Sequence, residues 1–299
     1  MKIHNFRIYI SALFAMLFWA FSFVWVKIVY EHNYRPITTI FLRLVISTIL
    51  LYIVIKLIKK NQKIEKTDYV KFLILALFQP FFYFLGESFG LTLVSSTTAA
   101  VIVATIPVFS PIFNYFFVNE KISYLNFFGI IISFFGILLM VIKNFVFEEP
   151  ITGVLLEFFA VASAIAYGIA IKKLSHKYSS FTIIKTQNLL GAIYFLPLFL
   201  INDFKQFITV KPDAELITAL LMLAVFASSL AYILYIPVVR ELGINRANMF
   251  TNLIPVFTAI LSFFILAESF NFQKIMGMAL VITGVSLTLI YRLINKISS

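Results

Sequence analysis

The tetrapeptide Ile106-Pro107-Val108-Phe109 returns unchanged as Ile254-Pro255-Val256-Phe257, 148 positions later. Glu120 returns as Glu268, Gly129 as Gly277 and Gly136 as Gly284 at the same offset, with no gap needed. Ala99/Ala247, Ile112/Ile260, Phe116/Phe264, Leu139/Leu287 and Ile142/Ile290 keep the register. A repeat this long and this regular means that one structural unit was duplicated, so the fold must place two copies of it.

The solvent of those copies follows from composition. The chain has 299 residues, of which 62% are hydrophobic and 12% charged. A soluble domain is roughly half apolar and about a quarter charged, so this chain lacks the polar surface to cover itself in water. There is no cysteine, which excludes disulfides, thiolate metal sites and cysteine nucleophiles. The net charge of +11 fits basic cytoplasmic loops better than nucleic-acid binding, for which no module is present. Lys2 and Arg7 precede an apolar run too long for a signal-peptide core, with no small-residue cleavage site after it; the run reads as a retained first span.

A helix needs about 20 mainly apolar residues to cross the hydrocarbon core. Ten stretches qualify: Ile8–Tyr30, Ile37–Ile58, Val70–Leu93, Ser96–Val118, Tyr124–Ile142, Thr152–Ile171, Thr182–Ile201, Ala214–Val238, Arg246–Ala267 and Phe272–Arg292. With the N-terminus inside, seventeen of the 24 Lys and Arg residues fall on the cytoplasmic side. This bias predicts both termini inside. Five spans per half is odd, so the second half enters the membrane upside down. The expected fold is all-α and integral to the membrane, with ten transmembrane helices as two inverted five-helix repeats, residues 1–146 and 147–299. Such a pair has a pseudo-twofold axis in the membrane plane and lets one central site face either side in turn. The basic loop Lys56–Lys71 reads as an orientation signal rather than a lipid-binding patch.

Polar groups in lipid are costly and need a reason. Gln79, Tyr83 and Glu87 share one face of the third span at i, i+4, i+8, with Pro80 beside them. The equivalent eighth span carries Ser228, Tyr232 and Tyr235 on one face, so the two halves offer similar surfaces with different chemistry. The first span adds Trp19 and Ser22, and the sixth adds Tyr167. Thr105 and Asn252 lie close to Pro107 and Pro255, where they either bind solute or satisfy carbonyls freed by the proline. Singly, each of these has a plain packing explanation; their convergence makes them the candidate solute-binding set. Arg43 and Glu87 are expected to pair near the outer mouth as a gate or structural ion pair. Glu120 and Glu268 are expected to cap the helix that follows each of them. Gly129, Ser133 and Gly136 make a smooth face on the fifth span, repeated by Gly277 and Gly284 on the tenth, which marks these spans as scaffold. No charged residue is expected at the very centre, which argues against a highly charged solute.

Two five-span halves, each with Pro, then Glu, then a glycine-containing last span, resemble the drug/metabolite transporter superfamily, EamA-like branch. Trp19-Ala20-Phe21-Ser22 with Lys27, and Pro36 followed by Arg43, are similar to the family's first-half pattern. Tyr167, Lys172 and Lys173 answer it more weakly in the second half. The resemblance covers nearly the whole chain. It implies a secondary transporter, an exporter of small neutral or zwitterionic metabolites such as amino acids, working by alternating access through a central cavity. It carries no substrate-specific signature.

The competing readings are a solute-sensing receptor or scaffold and an intramembrane enzyme. Seven-span receptors do not explain an inverted duplication. Against an enzyme, H-E-x-x-H, G-x-S-x-G, an Asp-rich motif and a P-loop are all missing. The three histidines His4, His32 and His176 lie near loops or ends, so no metal site is expected. The expected partners are a small-molecule substrate and the lipid bilayer, with protons as a candidate coupling ion through Glu87 or Glu157. No cofactor and no nucleic acid are expected, and the oligomeric state is a monomer or weak dimer in the plasma (inner) membrane.

Overall fold

A computed structural model describes residues 2–59, 62–110, 113, 124–143, 146–248 and 250–297. Helices dominate it. The exception among the described residues is a short antiparallel pair, Ile142–Lys143 against Val146–Phe147, in the link between the halves.

The first span is Lys2–Glu31 and the second Pro36–Leu57, where Pro36 opens the helix at the position that needs no N–H donor. The third is broken into Tyr69–Ala76, a wide π-helical segment Leu77–Phe82, and Tyr83–Gly90. The fourth begins at Ser96, and the fifth is Tyr124–Val141. The sixth is Ile151–Lys177 and the seventh runs from Ser180 to Phe207 through another wide segment, Phe199–Asp203. The eighth is Ala214–Met222, a wide segment Leu223–Leu230, and Ala231–Leu242. The ninth ends in Leu253–Ile265, and the tenth is Phe272–Ile297.

Six of these are long and apolar enough by themselves to cross a membrane: the first, second, third, sixth, seventh and eighth. The other four contribute shorter apolar helices within the described residues, Ser96–Ser110, Phe127–Val141, Phe250–Ile265 and Phe272–Leu287. Together they form a ten-helix membrane fold of two inverted repeats. The outer surface suits lipid, with Tyr52, Phe135, Ile201 and Phe264 more than half exposed. The described spans of the first half recur about 148 residues later, the fourth as shorter helical pieces at the start of the ninth and the wide segment of the third in the eighth.

The fifth and tenth spans pack on each other inside one chain, antiparallel. A Cβ on Gly136 would sit 2.7 Å from the Gly277 carbonyl oxygen, and one on Gly284 would sit 2.6 Å from that of Gly129. Only glycine permits such an approach. The remaining eight spans enclose the centre. There the first span packs against the eighth and ninth, the second against the seventh, and the third against the sixth.

Candidate functional site

The site begins at a break in the third span. Gln79 has extended backbone (φ −145, ψ 118) inside an otherwise helical run, and Pro80 supplies no N–H to the turn before it. Two residues outside the span accommodate this. Ser163 donates to the Phe78 carbonyl, just before the break, at 2.6 Å. Gly191 leaves the space that the Pro80 ring fills. The eighth span widens at the equivalent place, and Ser229 donates to the Ala224 carbonyl at 2.7 Å, five residues back. Wide turns of this kind turn side chains off the regular helical stripe, here towards the middle of the protein.

The break opens onto a cavity of about 250 Å³. Of the residues singled out from the sequence, Trp19, Ser22, Gln79, Tyr83, Glu87, Tyr167, Tyr232 and Tyr235 line it. Trp19 meets the edges of Tyr232 and Tyr235, with ring centres 5.1 and 4.9 Å away, so the three make one aromatic wall. Gln79 Nε2 donates to the Tyr232 hydroxyl. The Tyr167 hydroxyl donates to Gln187 Oε1 at 3.1 Å, and that of Tyr235 to Asn248 Oδ1 at 2.8 Å. Ser22 Oγ donates to its own helix at Trp19 O.

Two charges occupy the same cavity. Arg43 is 2% exposed; its Nε donates to Ser228 Oγ at 2.8 Å and its guanidinium lies 4.4 Å from the centre of the Phe84 ring. Ser228 is itself fixed, because Asn188 Nδ2 donates to its carbonyl oxygen at 2.8 Å. Glu87 is 3% exposed, and its Oε1 accepts from the Tyr83 hydroxyl at 3.0 Å. Arg43 Nη1 and Glu87 Oε2 are buried with no hydrogen-bond partner among the described residues. The expected ion pair is therefore not made: no N···O contact within 4.0 Å joins them. Each is held by a neutral neighbour instead, and the two residues carry one unpartnered cationic and one unpartnered anionic atom at the same cavity. Neither charge was expected so far inside. In this low-dielectric setting an open charge attracts an opposite one far more strongly than it does in water.

Three expected residues are off the wall. Thr105 is fully buried and donates to Ile102 O at 2.5 Å, satisfying its own turn. Ser228 faces Arg43 rather than the cavity. Asn252 gives way to Asn248 and Thr251, because the start of the ninth span is split into short helical pieces that rotate the stripe. Asn248 stands four residues before Asn252, on the same helical face by spacing. Lys172, part of the weaker second-half pattern, also lines the cavity, as do Ser110 and Thr251, which had carried no distinguishing signal.

The cavity reaches towards the side that carries the basic Lys56–Lys71 loop: Lys172 and Ile169, near the end of the sixth span, are exposed and belong to its lining. The opposite side is fastened by carboxylates. Glu268 Oε1 accepts from the Ser96 backbone N–H at 2.9 Å, and its Oε2 from Thr97 Oγ1 at 2.7 Å. Glu268 thus caps the fourth span, in the other half, and not the helix that follows it. The capping is across the repeats because the fourth span begins beside the end of the ninth. Glu149 adds to the clamp, accepting from Thr98 Oγ1 at 3.0 Å and lying 3.6 Å from Lys274 Nζ. Glu120 lies outside the described residues.

An apolar ten-helix shell around a partly polar cavity, fastened at one end, defines a membrane transporter. Comparison with known proteins agrees. The family model for the EamA-like transporter family matches residues 6–142 and again 151–290, and the chain belongs to that family. An "Uncharacterized transporter" of Archaeoglobus fulgidus is 28% identical over 273 residues, covering 90% of this chain and 93% of the relative. The "Uncharacterized transporter YoaV" of Bacillus subtilis is 23% identical over 288 residues, covering 93% and 95%. A solved crystal structure shares the fold with a TM-score of 0.69 at 14% identity, over 94% of this chain and 97% of that one.

Proposed function

We propose that the protein exports small zwitterionic metabolites, amino acids being the chemical class that fits, by alternating access through the cavity between its two repeats. One observation carries this reading: Arg43 and Glu87 line one cavity, each with a buried charged atom, Nη1 and Oε2, that has no hydrogen-bond partner among the described residues. A zwitterion satisfies both, its carboxylate on the guanidinium and its ammonium on the carboxylate. Charge-assisted bonds of this kind are each worth about 1.5–3 kcal/mol. Trp19, Tyr232 and Tyr235 offer the remaining surface to an apolar or aromatic side chain. A solute with net charge leaves one of the two valences unpaired and is disfavoured.

The reading takes residues 1–146 and 147–299 as the two moving units and both termini as cytoplasmic, in the plasma (inner) membrane, as the basic loops suggest. The cavity in this structure then faces the cytoplasm, where an exporter loads. Release outward requires the Glu268 and Glu149 clamp to part. Protons moving inward are the proposed driving ion, and the working unit is a monomer or weak dimer.

The test is flux. Purified protein in sealed liposomes is given a mixture of labelled amino acids, and contents are read by mass spectrometry with and without a pH gradient. Saturable movement of one or more zwitterions supports the reading. Binding without movement points to a receptor, and movement only of anions or cations overturns the assigned site.

A further inference from the structure

Glu157 is the polar side chain that the cavity leaves unexplained. It lies in the sixth span, is 0% exposed, and both of its carboxylate oxygens lack a hydrogen-bond partner among the described residues. It does not line the cavity. It sits instead in the seam where the third and sixth spans press together through glycines. A Cβ on Gly86 would lie 2.6 Å from the Leu156 carbonyl oxygen, and one on Gly153 would lie 2.7 Å from Leu93 Cβ. Between these two contacts, the space left by Gly90 is filled by the Glu157 carboxyl: a Cβ there would lie 2.9 Å from its Cδ.

A fully buried carboxylate with no donor beside it is costly in an apolar seam, and the protonated acid is the form that such a place tolerates. Conserving space for it with a glycine at the contact is not what plain packing requires, since a leucine would fill the seam without that cost. Its setting is graded. One turn inward along the third span stands Glu87, on the cavity; one turn outward, Lys27 Nζ donates to the Val94 carbonyl oxygen at 2.7 Å. The titratable groups that act on Glu157 are Lys27 and Tyr30 from the first span and Tyr83 and Glu87 from the third. The fourth span, which also packs on the sixth, carries no ionisable side chain between Ser96 and Ser110.

We propose that Glu157 is a proton-binding site of the transport cycle: it takes a proton from outside water when the outer ends of the third and sixth spans part, keeps it while the seam is dry, and gives it up towards Glu87 and the cavity when solute loads. The proton is taken up and released at the carboxyl oxygens, with no other bond made or broken. Lys27 is the neighbouring cation that holds the carboxylate once the proton has left. This rests on the exporter reading for its role in coupling, but the protonation itself does not depend on a solute.

Two measurements test it. Infrared spectra of the purified protein at neutral pH should show the carbonyl stretch of a protonated carboxylic acid, and Glu157→Gln should lose that component. In liposomes loaded with the labelled amino-acid mixture, Glu157→Gln should keep solute exchange while the ratio of flux with and without a pH gradient falls to one. Glu157→Leu, which fills the seam with an apolar group, should behave alike and serves if the amide unsettles the helix pair. An acid band undiminished in both variants, or gradient stimulation left intact, overturns the proposal. If the unmodified protein moves none of the amino acids, the exporter reading fails, and the infrared result still decides the proton site.

Discussion

The Ser133 hydroxyl donates to the carbonyl oxygen of Val281 at 3.4 Å, and Val281 occupies Ser133's own place in the second half, 148 residues on. A residue that touches its own equivalent stands on the symmetry axis. The axis therefore passes through the antiparallel crossing of the fifth and tenth spans, with Gly136 facing Gly277 on one side and Gly284 facing Gly129 on the other. Because both helices cross the bilayer, the axis lies in the membrane plane, the geometry that lets the halves exchange conformations.

This crossing has no slack. Gly277→Val is expected to destabilise the protein by about 1–3 kcal/mol, the usual range for overpacking. Thermal unfolding in detergent measures it. Phe135→Ala, on the same helix pair but 58% exposed to lipid, should leave the unfolding temperature nearly unchanged.

Arg43 and Glu87 are anchored separately, so neutralising one does not relieve the other. Arg43→Met should weaken solute binding by about 10- to 100-fold, matching one lost charge-assisted contact. Arg43→Lys should not restore it, because an ammonium cannot both reach Ser228 and leave a second donor in the same plane. The double variant Arg43→Met with Glu87→Gln should bind no better than Arg43→Met alone. Titration of the labelled solute against each variant reads this directly. Recovery in the double variant would mean that the two charges work as a pair.

The clamp on the fourth span predicts a local effect. Glu268→Gln should cost about 0.5–2 kcal/mol, the range for losing a helix cap. It should speed amide hydrogen exchange in residues 95–103 while leaving the second span unaffected. Slower or unchanged exchange there would remove Glu268 from the outer closure.

His32, just past the first span, predicts a pH dependence. Its Nδ1 lies 2.9 Å from the Ile28 carbonyl oxygen, and its Nε2 3.2 Å from Asp213 and 3.6 Å from Glu215. The bond to the Ile28 carbonyl raises its pKa above the ordinary value, with Asp213, Glu215 and Glu31 adding to the rise. A raised folded-state pKa favours folding below the unfolded value of about 6.5, and that contribution fades as pH climbs through the folded value. Unfolding temperature should fall slightly from mildly acidic to mildly alkaline pH. His32→Gln should flatten that slope.

Much of this architecture was legible in the sequence. The constant offset announced two copies, their odd span number announced the inversion, and hydropathy located the spans. The stripes on the third and eighth spans reached the cavity largely because Tyr83 and Glu87, and Tyr232 and Tyr235, lie on the regular helices Tyr83–Gly90 and Ala231–Leu242 beyond the wide segments. What local spacing could not contain was pairing across the repeats. Glu268 reads locally as the cap of its own hairpin, yet the start of the fourth span lies nearer in space. Arg43 and Glu87 read as partners by charge alone, yet Ser228 and Tyr83 reach them first. The shift from Asn252 to Asn248 and Thr251 came from a split helix that propensity does not reveal.

On the exporter reading, one cavity opens to one side at a time. The chain has no cysteine, so Ser22→Cys creates a single thiol on the cavity wall. In sealed, oriented vesicles, membrane-impermeant maleimide should label it from the basic, N-terminal side at rest, and from the opposite side only once an amino-acid gradient drives turnover. Labelling from both sides at once, or from one side whatever the gradient, would contradict the account.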